Sequence, residues 1–293
     1  MPSRASIVIP AYNEETRIRG LLGTLSDPSI KGAYDVFVIC NGCTDRTRQV
    51  AEEYPGVVVV EIAGVGKYLA LNEGDRLAGD VYPRLYCDAD IQLSPNSVIT
   101  LVDALTTEEV VVAGPEIRYA LEGVNWTIKM FYRGAANPVI AGWNSGLLAG
   151  RGLYGASRAA RRRFGSFPAL YADDLFFDSQ FDSTEKIVLP TAIALLWVPV
   201  NLRQLVKGEM RVAEGNRQYR VVEHVEGATT DYAAVHRERF ERSMRVRITA
   251  LWSGRREMHA VDVVPLLFYF GIRTATKMIL TVKRLRGRQI NWR

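Results

Sequence analysis

Three times in the first eighty residues a short apolar run gives way to a polar cluster and then to a helical pattern. Residues 5–10 read as a strand that Pro10 halts; Ala11-Tyr12-Asn13-Glu14-Glu15 follows, then Ile18, Leu21, Leu22 and Leu25 at helical spacing. Residues 35–40 repeat the pattern, and Asn41-Gly42-Cys43-Thr44-Asp45 turns the chain into a helix reaching Tyr54. Residues 57–62 form a third predicted strand, Gly64-Val65-Gly66-Lys67 a tight turn and residues 68–77 a third helix. Strands that alternate with helices through short connections require an α/β fold, a mostly parallel sheet with helices on both faces. Ligands of such sheets sit beyond the carboxyl ends of the strands, so these polar clusters should share one rim.

A fourth strand, Leu85-Tyr86-Cys87, ends in Asp88-Ala89-Asp90. Strand alternation would point both carboxylates the same way, where they repel unless a cation or donors intervene. Mg²⁺ or Mn²⁺ suits a pair of hard oxygen ligands that also meets substrate phosphates. The plainer alternative is that both aspartates cap the helix expected near Ser94-Pro95.

Composition narrows the class. With 293 residues and 48% apolar content the chain can bury a large core, which excludes fibrous and disordered classes. The apolar stretch near the start is too short for a secretory leader, so a cytoplasmic chain is expected. Cys40-x-x-Cys43 lacks the second ligand pair of a zinc site, and the cysteines read as ordinary reduced residues. Gly64-Val65-Gly66-Lys67-Tyr68 lacks the earlier glycine and the hydroxyl residue of a Walker loop, and no Gly-x-Gly-x-x-Gly follows the first strand.

The ordered set Ile7-Val8-Ile9-Pro10-Ala11-Tyr12-Asn13-Glu14-Glu15, Asn41-Gly42-Cys43-Thr44-Asp45, Gly66-Lys67 with Asn72, and Asp88-Ala89-Asp90 resembles the signature of family 2 glycosyltransferases of GT-A fold. The resemblance covers the first hundred residues well, the middle third moderately and the last third weakly. It implies a nucleotide site at Pro10, Ala11, Tyr12, Glu14, Asn41, Asp45, Gly66, Lys67, Asn72, Asp88 and Ala89. Within it Tyr12 would stack the base, and Glu14 and Asp45 would accept from base or ribose. Asp88 would meet the ribose or the water shell of the metal, and Asp90 would bind the ion that bridges the diphosphate. A solvated lysine and a helix-surface amide are the plainer readings of Lys67 and Asn72.

The domain organisation expected on this footing is a nucleotide-sugar half over residues 1–110, an acceptor and catalytic half over 111–220, and a helical C-terminal extension over 221–293. In the acceptor half, residues 109–113 read as a strand and 125–133 as a helix whose Trp126 belongs to the core. Residues 141–146 read as an aromatic loop around Trp143. Gly152-Leu153-Tyr154-Gly155-Ala156-Ser157-Arg158 resembles the family's acceptor-site strand, which points to Gly155 and Arg158. Tyr171-Ala172-Asp173-Asp174 resembles its acidic catalytic motif, with Asp174 the base and Asp173 its neighbour; a helix cap is the alternative. Inverting transfer needs such a carboxylate opposite the diphosphate, and adjacent charge and apolar flanks would raise its pKa. Residues 186–200 read as one or two buried strands and 202–212 as a helix. The family's Gln-x-x-Arg-Trp segment is missing here, and Arg211 and Arg217 are the substitutes considered for the leaving diphosphate.

A charged helix is expected over residues 232–252, and His224, His236 and His259 are left outside the site. Residues 261–272 are apolar, but Pro265 and Arg273 bound them to about half of the ~20 residues a membrane span needs. From Arg273 onward there are seven Lys or Arg and no acid. Met278, Ile279, Val282 and Leu285 share one helical face there, so this basic amphipathic tail should either lie on an anionic membrane surface or pack on the protein.

The function expected is inverting, metal-assisted transfer by a hexosyltransferase-like enzyme, in cell-surface glycan or glycolipid synthesis. Its partners would be a nucleotide-diphospho-sugar donor, UDP-linked by preference, and a glycan or lipid-linked acceptor. Its place would be the cytoplasm or, peripherally, the inner membrane face. The alternatives are a sugar-nucleotide pyrophosphorylase, which would carry a glycine-rich loop after the first strand, and a non-catalytic lipid- or nucleic-acid-binding protein acting through the tail. No RNA-binding signature accompanies the tail, so nucleic acid is not expected.

Overall fold

The computed structural model describes residues 5–107, 111–138, 140, 146–221 and 260–285. The expectations for Trp143, for the helix over 232–252, for the three histidines and for the last basic residues lie outside them.

The chain forms two compact units. The first comprises residues up to 120 together with 146–197, and the second is built from 121–140, 198–221 and 260–285 among the described residues. The helical part thus draws on the middle of the chain as well as on its end.

In the first unit β1 (Ala5–Ala11), β2 (Tyr34–Asn41), β3 (Val57–Ile62) and β4 (Arg84–Cys87) are joined by α1 (Ile18–Leu25), α2 (Thr47–Glu52) and α3 (Lys67–Ala78). β5 (Ile91–Leu93), α4 (Pro95–Thr106), β6 (Val112–Ala120), β7 (Leu153–Ala156) and β8 (Lys186–Trp197) complete one sheet, ordered β3-β2-β1-β4-β7-β6-β8-β5. The N-terminal half is parallel, as expected. β7 runs antiparallel to both neighbours and β5 antiparallel to β8, so the sheet as a whole is mixed. Side-chain alternation assigns the faces. Ile7, Ile9, Val36, Val38, Leu85 and Cys87 join the core under α1 and α4, whereas Phe37 and Ile39 meet Ala70 and Ala78 of α3. Ser94 caps α4 by accepting from the Ser97 N–H, with Pro95 in the first turn, so neither Asp88 nor Asp90 is that cap.

Several local expectations change. β1 continues through Pro10 to Ala11, whose partner is Cys40. β6 runs from Val112 to Ala120, well past residue 113. Residues 186–197 form one strand, half-exposed rather than buried, with a bulge around Pro190 where its register against β6 slips after Pro115.

The second unit contains α5 (Trp126–Ala135), capped by Asn125, and the helices Leu202–Val221 and Ala260–Leu285. Trp126 is exposed, not core, and meets Phe268 edge to face; Phe131 and Tyr269 pack as the buried pair. The helix from Leu202 does not stop near residue 212 but carries Gly215 inside it. The C-terminal helix runs through both Pro265 and Arg273, and its segment Val263–Leu285 is long and apolar enough to cross a membrane. The half-span expected from sequence is therefore a full one by length and composition.

Candidate active site

The carboxyl ends of β1, β2 and β4 and the start of α3 bring the predicted clusters together. The loop after β1 is locked to the loop after β2. Asn13 takes a left-handed conformation (φ 55°) and its Oδ1 accepts from the Thr44 N–H at 2.7 Å. Glu14 N–H donates to Thr47 Oγ1 at 2.7 Å, and Asp45 accepts from Glu15 N–H at 3.1 Å and Thr47 N–H at 3.0 Å. Burial pushes the Asp45 carboxyl up, but these hydrogen bonds outweigh it and hold it below its usual range. Much of the polarity of Asn13 and Asp45 is thus spent on shaping the loops. Asn41, at the end of β2, is buried, and its Oδ1 has no hydrogen-bond partner among the described residues.

β4 ends at Cys87, so Asp88 and Asp90 lie in the turn beyond it and do not project alike. Asp88 continues the face of Arg84 and Tyr86 toward α3, where Lys67 Nζ lies 2.7 Å from its Oδ1. Asp90 instead faces Arg17, next to the start of α1, at 3.5 Å. Glu14 feels both. Its pKa is raised to about 7 by burial and by Asp90, against the pull of Arg17, with Asp88 and Asp45 adding to the rise.

Lys67 also reaches Asp173 Oδ2 at 2.9 Å, and the Tyr154 hydroxyl donates to the same oxygen at 3.0 Å. One ammonium therefore ties the end of β4 to the helix Asp173–Ser179. Burial alone would lower the Lys67 pKa, but the nearby carboxylates Asp173 and Asp88 hold it well above the ordinary range. Asp174 faces a different set of donors: Gly150 N–H at 2.7 Å to Oδ2 and Leu175 N–H at 2.8 Å to Oδ1. Burial first, then Asp173, raises its pKa to about 6, although Lys67 and the Gly150 N–H oppose the rise. Asp173 is thus tied down by Lys67 and Tyr154, whereas Asp174 is held by two backbone N–H donors.

The loop entering β7 supports this arrangement. Gly152 (φ 69°) accepts from the Asp88 N–H at 2.7 Å, and a Cβ there would lie 2.6 Å from Ile91 Cγ2. Asp178 accepts from the Leu148 N–H at 2.8 Å and pairs with Lys186 at 2.8 Å, both side chains 1% exposed.

Three expected contacts are corrected. Because β7 is antiparallel, its far end carries Arg158 to the opposite rim, where it binds the Asp80 carbonyl at 2.7 Å and covers Tyr82. Gly155 is buried in mid-sheet, and its missing Cβ makes room for Leu105 Cδ1, only 2.5 Å from where a Cβ would be. Asn72 spends both ends of its amide on the backbone of Phe167, donating to O at 2.9 Å and accepting from N–H at 2.7 Å. Gly66 caps α3 and keeps its place beside Tyr68; Pro10 and Ala11 are buried in β1, and Ala89 is buried in the turn. Arg211 and Arg217 belong to the second unit, where Arg217 pairs with Glu214 at 2.7 Å.

Sequence reading missed Arg17, Thr47, Tyr154 and Gly150, and also Asp75. On α3, Asp75 accepts from Arg84 at 2.7 Å, Arg161 at 2.6 Å and the Tyr86 hydroxyl at 2.7 Å, fixing α3 to β4. A basic residue just after Glu14-Glu15, and a hydroxyl two positions after Asp45, were the only available signals for the first two.

Among the described residues no group of three or more His, Cys, Asp or Glu side chains could enclose a metal, and the three cysteines are free. The donor set still fits Mg²⁺ or Mn²⁺, which take one or two carboxylates and fill the remaining positions with water and substrate phosphates. Asp90 is the residue that would hold the ion, with Asp88 placed to meet its water shell.

A mixed sheet with this rim, covered on both faces and followed by helices, defines an α/β fold of the GT-A type. A family model described as glycosyl transferase family 2 matches residues 6–164. The chain belongs to that family. A dolichol-phosphate mannosyltransferase of Pyrococcus furiosus is 30% identical over 138 residues, 44% of this chain and 37% of that protein. An uncharacterised glycosyltransferase of Synechocystis is 31% identical over 149 residues, 45% and 44% of the two chains. The chain thus spans less than half the length of these curated relatives. Among solved structures, a mannosyltransferase from Pyrobaculum calidifontis in complex with GDP-Man and Mn²⁺ superposes with a TM-score of 0.65 at 20% identity, covering 98% of this chain and 88% of that one. Glucosyl-3-phosphoglycerate synthase from Mycobacterium tuberculosis, with Mn²⁺ and UDP-Glc, gives 0.52 at 23% identity over 72% and 77%.

Proposed function

We propose that the protein transfers a sugar from a nucleotide-diphosphate donor, UDP-linked by preference, to an acceptor with inversion at the anomeric carbon. The reading is carried by Lys67, which binds Asp88 on the donor side and Asp173 on the catalytic helix and so couples the two halves of the rim. Tyr12 and the enclosed Asn41 amide suit a nucleoside, and Glu14 suits its ribose or base donors. A divalent ion, when bound, would neutralise charge on the departing diphosphate.

The chemistry left to the chain is proton transfer and orientation. Asp174 accepts the proton of an acceptor hydroxyl as its oxygen bonds to the anomeric carbon and the carbon–diphosphate bond breaks. Burial first, and then the adjacent charge of Asp173, which Lys67 and Tyr154 hold in place, keep Asp174 basic enough to act near neutrality. The name of the Pyrococcus relative favours a lipid-linked acceptor in glycolipid or cell-surface glycan synthesis. Exposed Leu267, Phe270, Met278, Val282 and Leu285 on the C-terminal helix support attachment to a membrane.

The deciding experiment is a binding panel of UDP, GDP and their sugars with Mn²⁺ or with EDTA, followed by donor hydrolysis. Diphosphate binding strengthened by metal, and a loss of that dependence in Asp90→Ala, is expected. Equal affinity in EDTA would refute the metal assignment, and a GDP preference would replace the UDP one.

A further inference from the structure

In the second unit the helices Leu202–Val221 and Ala260–Leu285 enclose a cleft of about 330 Å³. Two ion pairs span it like rungs: Glu209 with Arg273 at 3.1 Å, and Glu214 with Arg284. Arg217, also bound to Glu214, lines the same cleft. Lys277 lies between the rungs, four residues after Arg273 and seven before Arg284, and faces the cavity with them. Among the described residues, four cations against two carboxylates leave a surplus of two positive charges. Burial pushes the Glu209 carboxyl up, which weakens its share of the neutralisation.

A second observation is independent of charge. Thr276 also lines the cleft, is 1% exposed, and its hydroxyl has no hydrogen-bond partner among the described residues. Buried hydroxyls are rarely left so, and each such group calls for an explanation. An acceptor oxygen entering the cleft would satisfy it and meet the surplus charge at once. Guanidinium forks and an ammonium matched to a doubly charged oxyanion are the usual means of holding phosphate.

We infer that this cleft is a binding site for a phosphomonoester dianion, held by Lys277, Arg217, Arg273 and Arg284 with the Thr276 hydroxyl as an added donor. The same helix exposes an apolar row that includes Met278, Val282 and Leu285, so the phosphate can be borne by a lipid as well as by a soluble molecule. The site stands whether or not the transfer reaction above is correct.

The test uses the full chain and two probes at constant ionic strength. Calorimetry with inorganic phosphate reads the soluble source. Flotation with phosphatidylcholine vesicles carrying phosphatidic acid, against phosphatidylglycerol at equal charge, reads the lipid source. Binding should saturate with at least one probe and weaken at least tenfold in both Lys277→Gln and Thr276→Val. Thr276→Val keeps shape and removes a hydroxyl with no partner among the described residues, so its melting temperature should not fall; a merely structural threonine would leave phosphate binding unchanged. Response to phosphatidic acid alone assigns the site to a lipid headgroup, and response to inorganic phosphate assigns it to phosphomonoesters in general. Failure of both probes to saturate, or binding that both variants retain, overturns the inference.

Discussion

Replacing Asp174 by Asn separates its hold on the Gly150 loop from the proton acceptance proposed for it. The carboxylate takes one backbone N–H on each oxygen, Gly150 at 2.7 Å and Leu175 at 2.8 Å. An amide has one oxygen, so its NH₂ must face one of those donors, at a cost of about 1–3 kcal/mol in stability. That cost is offset in part because the wild-type carboxylate, raised to about 6 by burial and by Asp173, is itself disfavoured in its charged form. Donor affinity should stay within a few-fold, while turnover should fall by roughly 10²–10⁴ through loss of a positioned base. The wild-type rate should carry an acid limb near pH 6, because a raised carboxyl pKa means the basic form is lost as pH falls through that value. Stopped assays of transfer across pH, beside nucleotide titrations and urea melts, read all three quantities. A near-native rate in Asp174→Asn, or an acid limb unchanged by it, refutes the base assignment; an acceptor that arrives already ionised would behave in that way.

Other substitutions test the frame around that residue. Lys67→Met removes the cation that lowers the Asp174 pKa, so the acid limb should move to higher pH; a move downward would contradict the bridge. Lys186→Met takes the cation away from the buried Asp178 and should cost about 3–5 kcal/mol by chemical denaturation, with no loss expected only if water reaches the carboxylate. Gly155→Ala sets a Cβ 2.5 Å from Leu105 Cδ1 and should cost about 1–3 kcal/mol, while Gly20→Ala on α1, with nothing within 4 Å, should gain up to about 1 kcal/mol. Similar melting shifts for the two glycine variants would show that the close approach at Gly155 is relieved cheaply.

What the sequence made legible was the part encoded by local pattern. Short continuous apolar runs and turn residues disclosed β1 to β4 and the rim on which Glu14, Asp45, Lys67 and Asp88 gather. Strand direction is not a local property, so nothing in residues 153–158 announced that β7 would run backwards and remove Arg158 from the rim. Alternation likewise misjudged Asp90, because the strand stops at Cys87 and the next residues turn. Asn72 looked like a ligand for want of knowledge of Phe167, which lies 95 residues away. Gly215 and Pro265, both helix-breaking by propensity, sit inside helices whose tertiary packing overrides them. Asp75 escaped notice because its partners sit on the next strand, at Arg84 and Tyr86, and far along the chain, at Arg161.

The reversed β7 also divides the molecule's freedom to vary. The loop that enters it is bound at both Gly150 and Gly152 to acidic residues of the rim, so a length change there would move those residues. The turns at the other edge, such as residues 53–56 between α2 and β3, connect elements without touching that rim. An inserted segment, a fluorophore or a tether to a surface belongs at those turns, where the chain can lengthen and leave the carboxylates where they are.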